Sequence, residues 1–200
     1  MDDNGHGTHV AGIAAANGTL KGIAPNALLI ACKVLDEEGV GYDSDILNAI
    51  EYALDPNNDN NTGDKLDIIN MSFGSMPYDD DPLPVAINNA ISEGIIFCIA
   101  AGNEHKYYSI SSPGITSNAI TVGSVDKTFE ISEFCSKGPT DNYTIKPDIV
   151  AIGDNVNSTF LNSNYNSYSG TSMSTPMVSG ACALLKQLHP EWTPHDIKSA

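Results

Sequence analysis

The sequence predicts an α/β domain with a mostly parallel sheet sandwiched by helices. Apolar runs of strand length alternate along the chain with stretches whose apolar residues recur at helical spacing. The 200 residues, 41% hydrophobic and 17% charged, suit one globular domain with a substantial core. No apolar run reaches the ~18 residues of a membrane span.

A helix is predicted after His6, through Val10, Ile13 and Ala14. Ala27 to Leu35 reads as a buried strand. Ser44 is placed to cap a helix with Ile46, Leu47, Ile50 and Leu54 on one face. Leu66 to Ser72 is the next strand. Val85 to Glu93 is a helix, with Gly94 as the residue that ends it. Ile95 to Ala101 and Ala119 to Val125 are two further strands. The last long helix follows Ser172. Its Met173, Met177, Ala181, Leu184, Leu185 and Leu188 share a face, and the small Gly180, Ala181 and Ala183 predict burial. Thr193-Pro194-His195-Asp196 has the form of a capping box with proline at its first position. No internal repeat is visible.

The formal charge is −16, from 25 acidic and 9 basic residues. That field disfavours nucleic acid and anionic membranes as partners. Cys32, Cys98, Cys135 and Cys182 form no close-spaced pair and read as free, buried thiols. The polar run from Asp55 to Asp64 is a loop. Its Asp55, Asn57 and Asp59 approximate the start of a calcium loop. However, Asn60 stands where such a loop needs glycine, and no late glutamate follows.

Three polar residues stand at the ends of regular elements. Ser172 opens a helix, where free N–H groups and the helix dipole favour a developing anion. His6, between two glycines, can take and return a proton near neutral pH. Asn103 ends an apolar strand and can donate to an oxyanion through its amide. Taken singly, these are an N-cap serine, a surface histidine and a turn asparagine. Taken together, they are a nucleophile, a base and an oxyanion donor. His6 and His9 lack a third ligand for a metal, and His9 reads as structural. His105, His189 and His195 read as surface residues.

Five segments then combine in order: Asn4-Gly5-His6-Gly7-Thr8-His9-Val10-Ala11-Gly12, Asp67 to Gly74, Ala100-Ala101-Gly102-Asn103, Lys146 to Ala151, and Gly170-Thr171-Ser172-Met173-Ser174-Thr175-Pro176. The chain resembles the subtilisin-like serine proteases, the subtilases, over its whole length. The resemblance implies a three-layer sandwich and endopeptidase chemistry through an acyl-enzyme on Ser172. His6 would be its general base, and Asn103 would lie in the oxyanion hole. It implies no cofactor for catalysis, a polypeptide substrate, and an extracellular or cell-surface location. Gly39-Val40-Gly41 and Ser72-Phe73-Gly74 match the segments that flank a bound peptide by strand addition. Structural calcium is common in the family, which adds to the reading of Asp55, Asn57 and Asp59 without placing a site.

The departure from the family is the triad aspartate. Asp2 and Asp3 are too close to His6 along the chain, and Asp67 and Asp148 begin strands at the wrong end of the sheet. Residues 1–200 are therefore read as a subtilase catalytic-domain fragment, incomplete at the N-terminus, truncated at the C-terminus and nearly inactive alone. Two alternatives stay open. One is a sedolisin-like peptidase, against which His6 and Asn103 argue. The other is a catalytically silent binding or processing module, against which the intact trio argues. An esterase of the Gly-x-Ser-x-Gly type is disfavoured by Ser174.

Overall fold

The computed structural model describes residues 2–200. Its sheet has four parallel strands in the order β1-β2-β3-β4: β1 (Ile68–Met71), β2 (Ile96–Ala100), β3 (Ile120–Val125) and β4 (Ile149–Ile152). The helices are α1 (His6–Ala15), α2 (Asp43–Leu54), α3 (Leu83–Ser92), α4 (Thr171–Leu188) and α5 (Pro194–Ser199). A hairpin of β5 (Val156–Phe160) and β6 (Asn164–Tyr168) stands apart from the sheet.

Alternation along β2 builds the layers. Every residue of β2 is buried, and successive side chains point to opposite faces. Phe97 and Ile99 pack with Ile46 and Ile50 of α2 and Leu83, Ile87 and Ala90 of α3. Ile96 and Cys98 pack with Val178 and Cys182 of α4 and Ile197 of α5. Helices thus cover both faces of a parallel sheet, as buried parallel strands require. α1 lies on the α4 side and also packs on β5. A Cβ at Gly12 of α1 would collide with the Ser158 and Thr159 hydroxyls, so this glycine sets the approach of α1 to β5.

Several predicted elements differ in the structure. Ala27–Leu35 is not a strand: it pairs with no other strand among the described residues, and Leu28, Leu29 and Ile30 are 98%, 56% and 50% exposed. An apolar run becomes a strand only where a neighbour completes its hydrogen bonds, and the four-stranded sheet does not include this one. Cys32, within that run, is exposed rather than buried, while the other three thiols are free and buried. α2 starts at Asp43 with Tyr42 before it and no side-chain cap, so Ser44 lies inside the helix. α3 starts two residues early, at Leu83 behind Pro82. α4 is buried along its first half only; Ala181 is exposed and Leu188 is 72% exposed. The capping box at Thr193 and Asp196 is present. Gly94, at φ 103°, follows α3 in the left-handed conformation.

Candidate active site

Ser172 is the second residue of α4, within the turn whose N–H groups lack helical partners. Pro176, four residues on, has no N–H to give the Ser172 carbonyl. Ser72, just past β1, supplies a donor instead: its Oγ lies 2.9 Å from Ser172 O. In return, Ser172 Oγ donates to Ser72 O at 2.9 Å. This reciprocal pair joins the end of β1 to the start of α4. Asn70 Nδ2 in turn donates to Ser72 Oγ at 3.0 Å.

Asn103 follows β2 across the Ala101-Gly102 turn. Gly102 takes φ 108°, and a Cβ there would strike Ser111 Oγ, so the turn needs glycine. Asn103 Oδ1 accepts from Thr171 N at 2.9 Å and from Thr171 Oγ1 at 3.1 Å. With the oxygen so engaged, the amide nitrogen is left as a free donor beside Ser172. Thr171 Oγ1 also accepts from Gly102 N at 3.2 Å. A cavity of about 120 Å³ opens there, lined by Phe73, Gly74, Gly102, Asn103, Glu104, Ser111 and Ser172 among others.

The structure therefore brings together Ser172, Asn103, Phe73 and Gly74 at the carboxyl ends of β1 and β2, where open α/β sheets place ligands. No backbone–backbone hydrogen bond engages Phe73 or Gly74 among the described residues, which leaves both free to pair with an extended peptide. Gly39, Val40 and Gly41 are not part of this cavity. They form a turn held by Asp36, whose Oδ1 accepts from Val40 N at 2.9 Å, and Val40 is 55% exposed. Asn4 Nδ2 ties that turn to the start of α1 by donating to Glu37 O at 2.9 Å.

His6 begins α1, the helix packed against α4. Neither of its ring nitrogens has a hydrogen-bond partner among the described residues, and Ser172 Oγ points to Ser72 O rather than to an imidazole. Burial pushes the His6 pKa below its usual value. The nearby His9 adds to this, and Asp2 acts weakly the other way. Asp2 caps α1: Oδ1 accepts from Gly5 N at 2.9 Å, and Oδ2 accepts from Thr8 N at 2.7 Å and Thr8 Oγ1 at 2.6 Å. Partial burial works to raise the Asp2 pKa, but the bonds to Thr8, Gly5 and Asn4 outweigh it and bring it to about 2. Asp148 is committed elsewhere, to Lys146 at 2.7 Å and Lys198 at 3.1 Å.

The Asp55 loop closes on its own backbone. Asp55 accepts from Asp59 N and Asn60 N, Asn57 Oδ1 from Asp59 N, and Asp59 Oδ1 from Asn61 N, all at 2.8–3.1 Å. No group of three His, Cys, Asp or Glu side chains among the described residues could hold a metal ion. Glu104 and Ser111 carry no signal of their own in the sequence. Thr171 carried a readable signal, since it precedes the serine in its motif, whereas Ser111 reaches the cavity only through the fold.

A helix-borne serine and an oriented asparagine amide at the carboxyl ends of parallel strands define a class of α/β hydrolytic sites. The chain belongs to the subtilase family, whose model matches residues 1–200. Serine protease AprX of Bacillus subtilis (strain 168) is 38% identical over 229 residues, covering 98% of this chain and 52% of that relative. Subtilisin E of the same organism is 40% identical over 199 residues, covering 96% of this chain and 48% of its own length. The major intracellular serine protease of that organism is 42% identical over 198 residues, covering 95% and 57%. Among solved structures, Sphericase superposes with a TM-score of 0.90 at 36% identity, covering 100% of this chain and 68% of that one. The chain thus spans about half the length of these curated relatives. No helix of the described residues is long and apolar enough to cross a membrane.

Proposed function

We propose that this chain carries the nucleophile, base and oxyanion donor of a serine endopeptidase. Ser172 Oγ attacks the scissile carbonyl after turning from Ser72 O. His6 takes the proton and returns it to the leaving amine, and an acyl-enzyme forms on Ser172. The Asn103 amide and the Ser172 N–H bind the developing oxyanion. The observation that carries the reading is the double engagement of Asn103 Oδ1 by Thr171, which aims the free amide N–H at the cavity beside Ser172. Polypeptide binds along Phe73 and Gly74, and Gly39-Val40-Gly41 faces the opposite side of the substrate only if its turn opens. No step uses a cofactor.

The carboxylate that orients His6 comes, in this proposal, from a strand outside these 200 residues. The support is an open edge of the sheet and an exposed apolar stretch. β1 is an edge strand with a single neighbour, while the Leu28–Ile30 stretch lies exposed and unpaired. A further strand paired with β1 would satisfy that edge. Restoring such a segment is expected to raise peptide-anilide hydrolysis by about 10⁴-fold, the scale of loss when a triad aspartate is disabled. Equal activity with and without it would refute the missing-carboxylate reading. Asp55, Asn57 and Asp59 already accept the loop's own amides, so we propose at most weak calcium binding there. The check is the shift of Tm with added calcium. An extracellular or cell-surface location is carried over from the family resemblance, although one similar protease is described as intracellular. Fractionating cells that express the full-length protein tests it.

A further inference from the structure

His9 is wholly buried, at 0% exposure. Its Nε2 lies 3.1 Å from Val156 O and 2.9 Å from Asn166 O, one carbonyl from each strand of the hairpin. Carbonyls only accept, so Nε2 must carry the proton. Nδ1 is then the bare imine nitrogen, and it has no partner among the described residues. The ring packs beside Tyr168, with centroids 4.8 Å apart, in a cluster built on Ile13, Val156 and Met173. Two hydroxyls of β5 continue the seam. Ser158 Oγ donates to His9 O at 2.8 Å, and Thr159 Oγ1 donates to Thr8 O at 2.9 Å. All these bonds fall on one turn of α1, and His6 stands on the same face, three residues before His9.

We propose that His9 is a positioning residue for His6: its singly protonated ring clamps α1 to the β5–β6 hairpin, fixes where the His6 imidazole stands, and releases the helix in acid. The proposal rests on the reading of His6 as the general base. Protonating Nδ1 would bury an N–H with no acceptor in an apolar cluster, so the clamped state resists the second proton. The titratable groups that face the ring are His6 on its own helix and Tyr168 on β6. β5 has no titratable residue, and α4 presents Met173 and Met177. Among the described residues no carboxylate is there to stabilise the imidazolium. Burial accordingly lowers the His9 pKa, against the two carbonyl bonds, which raise it. Below the ordinary histidine value of about 6.5, the released state takes up the proton and is favoured.

The test uses the full-length protein with His9→Gln and His9→Phe. The glutamine amide can reach the place of Nε2 and donate there, yet it does not titrate. Phenylalanine keeps the ring and removes the donor. At neutral pH and well below each variant's Tm, His9→Phe should lose at least tenfold in kcat with KM within twofold, and His9→Gln should recover most of that loss. Amide exchange in α1 and the hairpin, corrected for its intrinsic pH dependence, should quicken between pH 7 and pH 5 in the parent and not in His9→Gln. Unchanged kcat in His9→Phe, a loss that only tracks the unfolded fraction, or an acid response that survives in His9→Gln would each overturn the proposal. His6→Ala separates the underlying reading. If it stays active, His6 is not the base, while the exchange comparison still decides whether His9 clamps the helix.

Discussion

At the scale of single residues, the start of α4 is held by side chains that replace missing backbone bonds. Pro176 leaves Ser172 O without its helical donor, and Ser72 Oγ takes that place. Ser72→Ala is therefore expected to cost about 1 kcal/mol, the net worth of an ordinary hydrogen bond, in chemical unfolding. Ser172→Ala should abolish labelling by a fluorophosphonate. Asn103→Ala should lower kcat by about 10²–10³ and leave KM nearly unchanged, a figure known from the type enzyme of this family rather than deduced from the present geometry. In the 200-residue chain the His6 pKa lies below its usual value, through burial first, so the acid limb of its residual kcat/KM should fall below pH ~6.5, and a carboxylate restored beside the ring should raise it. Asp2 opposes that shift. Asp2→Asn removes the opposing charge and should move the limb further toward acid; a move toward neutral pH would contradict the assignment.

At the scale of elements, the parts written in hydrophobic periodicity were legible and the rest were not. α1, α3, α4 and the strands β1 to β3 follow from apolar spacing, within a few residues at their ends. The β5–β6 hairpin was missed because Asn155 to Ser169 is rich in Asn and Ser, and its stability comes from packing on α1 rather than from its own pattern. Ala27–Leu35 was misread for the opposite reason: its composition suits a strand, but pairing depends on a neighbour that local sequence does not show. The segments of the candidate site were readable from motif order, while the Asn103 to Thr171 engagement and the turn at Gly39 depend on side-chain direction, which only the fold supplies. Phe97, 1% exposed on the interior strand β2, should cost about 3–5 kcal/mol on change to Ala. The foot of the sheet gives a pH signature. Burial lowers the Lys146 pKa to about 8, because its one carboxylate, Asp148, is shared with Lys198. Asp148 itself gains from both cations, so its own pKa moves down despite burial. The unfolded chain holds the lysine proton up to about pH 10.4, so folding stability from this group rises between about pH 8 and 10.4. Lys146→Met should flatten that rise in unfolding curves measured across the window.

At the scale of the whole molecule, a charge of −16 repels copies of the chain, while the bare edge of β1 and the exposed Leu28–Ile30 stretch invite them together. Salt screens the first and not the second. The 200-residue chain should therefore self-associate more in 1 M salt than in 50 mM salt by sedimentation, and a lysine at Ile30 should suppress the difference. The hydrogen bonds of His9 have a further consequence, in the time domain of biosynthesis. Its two carbonyl partners lie 147 and 157 residues downstream. A ribosome adding about 5–20 residues per second needs roughly 7–30 s to make them. For that interval α1 has neither hairpin nor α4 to rest on, and its apolar face is open to chaperones and proteases. Synonymous slowing of codons midway between α1 and the hairpin should lengthen that exposure and lower the yield of soluble chain.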